Sequence, residues 1–104
     1  METLQEIDSK TIHSEPHPQK GQKHRSSENF GTNDMADWGG LKWECPDKVS
    51  FNVKKDVSGG IDTTEFENVK NGTVTKYKSH RNLYISDPKG ASTAFDIKVS
   101  SSEK

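Results

Sequence analysis

The sequence predicts an all-β protein: a small antiparallel sandwich or partly open barrel of about six short strands, preceded by a disordered N-terminal tail. Three observations predict it. From residue 41 onward, large apolar residues recur at every second position. Gly-Gly, Asn-Gly and Asp-Pro-Lys-Gly turn signals divide that region into short segments. Only 27% of the 104 residues are hydrophobic, too few to order the whole chain against its conformational entropy.

The expected tail covers residues 1–34. Apart from Met1, its large apolar residues are Leu4, Ile7, Ile12 and Phe30. Leu4 and Ile7, with Ile12 less well phased, suit a transient helical turn at most, since so short a helix is marginal alone. "SEPHPQKGQKHRSSENFGTND" shows neither a helical nor a strand period.

The expected domain covers residues 35–100. "LKWECPDKVSFNV" puts Leu41, Trp43, Cys45, Val49, Phe51 and Val53 on odd positions, which reads as a half-buried strand broken near Pro46 and Asp47. "DVSGGID" is a turn at Gly59 and Gly60. Asn71-Gly72 is the preferred pair for a two-residue hairpin. With Lys70 facing Thr73, Val69 would face Val74, Glu67 would face Lys76, Phe66 would face Tyr77, and Glu65 would face Lys78. "DPKG" at 87–90 reads as a type I turn between a strand with Leu83 and Ile85 and another with Phe95, Ile97 and Val99. Residues 101–104 would be a frayed end. The expected core joins these apolar positions with Ile61 and with either Val69 and Val74 or Phe66 and Tyr77.

The net charge of −1 provides no global field toward nucleic acid or an anionic membrane. Residues 35–104 hold 11 Lys and Arg against 10 Asp and Glu, a net +1. A single cysteine, Cys45, excludes an internal disulfide and any zinc site built on two thiolates. The chain shows no secretory leader or membrane-spanning run. The expected location is therefore cytoplasmic or nuclear, or secreted if a leader has been removed.

No motif reaches the specificity of an enzyme's. Cys45 and His80 are one thiol and one imidazole without a spacing signature, and Cys45 is in phase with the core. His13, His17 and His24 lie among prolines that forbid a shared helical face, so the sequence implies no metal and no other cofactor. Turn chemistry accounts for Asp56, Asp62 and Asp87. Asn71-Gly72-Thr73 is formally a glycosylation sequon that the turn also explains.

The expectation is a non-enzymatic binding module that recognises a protein partner by its surface, with the tail as tether. Trp38, Arg81 and Tyr84 are the candidate contacts. Trp38 lies out of core phase beside Gly39-Gly40, as a lid on the sheet or an anchor for a partner. Two alternatives stay open. Lys76, Tyr77, Lys78, His80, Arg81 and Tyr84 mix cations with aromatics, as single-stranded nucleic-acid binders do. A carbohydrate- or membrane-surface-binding sandwich would use Trp38 and the loop aspartates. Oligomeric state is not legible.

Overall fold

The computed structural model describes residues 9–21, 23–33, 35, 39–76 and 81–103, with no side-chain placement for 39, 102 and 103. The described residues form seven strands and no helix. They are β1 (Ser9–Ser14), β2 (Gly39–Glu44), β3 (Ser50–Lys55), β4 (Thr63–Lys70), β5 (Thr73–Lys76), β6 (Leu83–Lys89) and β7 (Phe95–Glu103). Two antiparallel sheets pack as a sandwich. Sheet A has the order β1-β7-β2-β5 and sheet B the order β4-β3-β6.

The period-two pattern fixes which side chains meet between the sheets. Leu41, Trp43, Ile97 and Val99 from sheet A are fully buried, as are Phe51, Val53, Val69, Leu83 and Ile85 from sheet B. Trp43 sits at the centre, with the rings of Phe30, Phe51 and Phe66 at 6.0–6.3 Å from it. Its indole N–H donates to the Thr75 hydroxyl at 2.9 Å. The break foreseen near Pro46 and Asp47 separates β2 from β3, and the Gly59-Gly60 turn joins β3 to β4.

Several expectations are corrected. Asn71-Gly72 does not close a hairpin: β4 takes its ladder from β3 and β5 takes its own from β2. Val69 pairs with Phe51 and Val74 with Lys42, so the predicted register is absent among the described residues. The turn is a corner between sheets. Gly72, at φ +88°, donates its N–H to the Trp43 carbonyl at 2.7 Å. The Asn71 amide accepts from Cys45 N at 3.2 Å and donates to Asp47 at 3.0 Å. Tertiary pairing outweighs the local turn preference: β4 places Val69 opposite Phe51 in the core, and β5 places Thr75 where it accepts from the Trp43 indole.

"DPKG" is likewise not a turn. β6 runs through Lys89, and Asp87, at φ +51°, carries a bulge where the pairing with β3 shifts. Pro88 is tolerated because β6 lies at an edge of its sheet. Ile61 and Val74 leave the expected core and are 89% and 58% exposed.

The ends differ as well. Residues 9–14, expected in the disordered tail, form β1 on the flank of β7, with Ile12 buried opposite Ile97. The strand continues past Ser100 to Glu103, and Ser101, opposite Leu41, is buried. Between β1 and β2 the chain lies across β6 as a strap. Phe30 and Leu83 exchange backbone hydrogen bonds at 2.8 and 2.7 Å, Ser26 N donates to the Ile85 carbonyl, and Ile85 N donates to the Ser27 hydroxyl. Ile12, Met35 and Phe30 thereby join or cover the core.

Candidate binding surfaces

β6 is buried on both faces. Leu83 and Ile85 point into the sandwich, while Tyr84 and Ser86 lie on the outer face of sheet B, where strap and loop cover them. Tyr84 is directly opposite Lys54 of β3. The Arg25 guanidinium lies 4.2 Å above the Tyr84 ring centroid. It is held there by Asp56 at 2.9 Å and by the Asn29 side chain, which itself donates to Asp56. The Tyr84 hydroxyl donates to Asp62, whose other oxygen accepts from Val57 N at 3.0 Å.

These contacts set the local charge states. The Tyr84 hydrogen bond and the Val57 N–H hold the Asp62 carboxyl below its usual range, with Arg25 and Lys54 adding to the effect and burial opposing it. Burial pushes the Tyr84 phenol well above its usual value, and the bond to Asp62 adds to this. The pair is thus a neutral phenol donating to a carboxylate.

Between strap and β3–β4 loop lies a cleft of about 400 Å³. Lys23, His24 and Arg25 form one wall, Gly60, Ile61 and Asp62 the other, and Lys54 and Tyr84 the floor.

A second surface is the outer edge of β5. The sheets have four outer edges, belonging to β1, β5, β4 and β6. The strap occupies β6 and bridges β1 at Ser14 through Ser27. β4 is bulged against β3, with Asn68 at φ +54°. β5 pairs with β2 from Gly40 to Trp43 without a register shift and presents Val74.

The expected contact residues fall in different places. Tyr84, expected at the surface, is 3% exposed beneath Arg25, which removes it as a platform for a stacked base or partner. Lys76 is exposed at the end of β5. Arg81 is exposed and lines a shallow depression with Asn29, Phe30, Gly31, Asn33 and Asn82. Trp38, Tyr77, Lys78 and His80 lie outside the described residues.

The described histidines do not converge. His13 faces Asp96 at 3.0 Å, His17 bonds to the Pro18 carbonyl, and His24 faces Asp87 at 3.3 Å. Among the described residues, no three His, Cys, Asp or Glu side chains gather as a metal site requires. Cys45 is half-buried, and burial, then Asp47, pushes its thiol up, which disfavours the nucleophilic thiolate. No helix long and apolar enough to cross a membrane occurs among the described residues. Arg25 carries no local sequence signal, because its partner Asp56 is 31 residues away. Comparison with known proteins finds no matching family model, no similar curated protein and no similar solved structure.

Proposed function

We propose that the protein is a small, non-enzymatic binding module that recognises a protein partner by adding the partner's strand to the outer edge of β5. The carrying observation is the contrast among the four edges. The strap covers β6 and the Ser14 end of β1, a bulge distorts β4, and the rest of the β1 edge carries no exposed large apolar side chain. The fourth is regular, and Val74, 58% exposed, offers an apolar anchor beside the backbone ladder. Among the described residues the edge runs over Thr73–Lys76, and an edge contact of that length suits weak binding.

The test compares wild type with Val74→Lys as baits for partner capture, followed by hydrogen exchange on the purified complex. A partner held by wild type, lost on Val74→Lys, and protecting residues 73–76 supports strand addition. A complex that leaves 73–76 unprotected rules it out. The exposed position means the substitution itself should change stability by less than about 0.5 kcal/mol.

A further inference from the structure

The cleft on the outer face of sheet B is independent of the β5 edge. Its charged lining is three permanent cations, Lys23, Arg25 and Lys54, against one carboxylate, Asp62. His24 is the fourth basic group and faces Asp87, which Ser86 also bonds. Asp56 lies beside Arg25. The Lys23 and Lys54 ammonium groups make no ion pair or side-chain hydrogen bond among the described residues.

We propose that this cleft binds a phosphate group. The two carboxylates nearest it are already engaged. Asp62 accepts from the Tyr84 hydroxyl and Val57 N, and Asp56 accepts from Arg25 and Asn29. Arg25 has two of its five N–H donors committed, one to Asn29 and one to Asp56. What it can offer a ligand is a separate donor rather than a free planar fork, and Lys23 and Lys54 add point donors from the strap and the floor. Separated donors on three sides suit a tetrahedral oxyanion with three acceptor oxygens better than a planar carboxylate. The scaffold is fixed in advance, since Arg25 is clamped over Tyr84 by Asp56.

Two sources carry the same chemistry. One is a soluble phosphate ester. The other is a lipid headgroup, for which Ile61, 89% exposed on the cleft wall, would enter the acyl boundary.

The experiment follows side-chain and amide resonances of the full chain during titration with inorganic phosphate, at ionic strength matched with chloride. It is repeated on Lys23→Gln/Lys54→Gln, two exposed or half-exposed positions that leave the Arg25–Tyr84 stack intact. The expected result is a saturable shift confined to the cleft, weakened about tenfold for each lysine removed. A second arm sediments the protein with phosphatidylcholine vesicles, with and without phosphatidic acid. Sedimentation that needs phosphatidic acid and is lost on Ile61→Ser identifies the headgroup. Phosphate shifts without sedimentation identify a soluble ester. Shifts no larger than chloride produces, or shifts that persist in the double variant, overturn the proposal.

Discussion

The β6–β7 crossing at Gly90 gives the most demanding test of the sandwich. Gly90 has φ +85°, and a Cβ there would stand 1.8 Å from the Lys48 carbonyl oxygen and 2.9 Å from its carbon. Gly90→Ala therefore meets two costs. The left-handed conformation costs about 1–2 kcal/mol for a residue with a Cβ. The second cost is relief of the contact, which requires the Lys48 backbone to retreat by more than 1 Å, a distance set by ordinary carbon–oxygen separations. Val49 follows directly and is 4% exposed, so the retreat disturbs the core at about 1–3 kcal/mol. Together these give about 2–5 kcal/mol, a large share of the ~5–15 kcal/mol available to such a domain. Gly59→Ala is the control, because φ is +74° but nothing lies within 4 Å of the added carbon. Urea unfolding followed by tryptophan fluorescence reads both. At a slope of about 1–3 kcal/mol per molar urea, Gly90→Ala should lower the midpoint by about 1–3 M and Gly59→Ala by about half of that or less. Equal midpoints for the two variants would refute the placement of Gly90 against Lys48, and with it the packing of this crossing.

Further predictions concern the Tyr84–Asp62 pair and the corner. Tyr84 has a folded pKa raised above its unfolded value near 10. Above that pH the folded chain keeps a proton that the unfolded chain has lost, so stability should fall by about 1.4 kcal/mol per pH unit as pH rises from ~10. Urea midpoints across alkaline pH should show this fall in wild type and a reduced one in Tyr84→Phe. Asp62 has a lowered folded pKa, so its contribution is complete above the unfolded value near 4 and disappears as pH falls through the folded value. Asp62→Asn should flatten the acid side of the stability profile. At neutral pH, Tyr84→Phe should cost about 1 kcal/mol by removing a donor from the carboxylate, measured by the same unfolding. Asn71→Ala should cost about 1–2 kcal/mol, since it frees Cys45 N and Asp47 at once, and it should lower the thermal midpoint.

Much of the sandwich is legible in the residues themselves. The odd-position run at 41–53 and the alternation at 95–99 place Leu41, Trp43, Phe51, Val53, Ile97 and Val99 in the core, where they are found. Partner choice is not legible in the same way. Phe66 and Val69 both face the core although they are three residues apart, which strict alternation forbids. The bulge at Asn68 makes it happen, and its Asn52 partner is 16 residues distant. Asn71-Gly72 obeyed its local preference for a tight reversal, but the two strands it separates belong to opposite sheets. The strap carried no sequence signal because its ordering comes from backbone bonds to β6 and from two isolated apolar residues, Phe30 and Met35, that meet a core built by other segments. The cleft was illegible for the same reason: Arg25, Lys54, Asp62 and Tyr84 come from four separate segments.

The position of β7 governs how the molecule can be made. Its ladders to β1 and β2 supply most of sheet A, yet residues 95–103 are the last of the seven strands to be synthesised. Until they leave the ribosome, β1 and β2 have no common neighbour, and Ile12 lacks Ile97 opposite it. Sheet A therefore closes only after β7 has left the ribosome, and a chain that stopped before Phe95 would be released with exposed strand edges rather than as a trimmed sandwich.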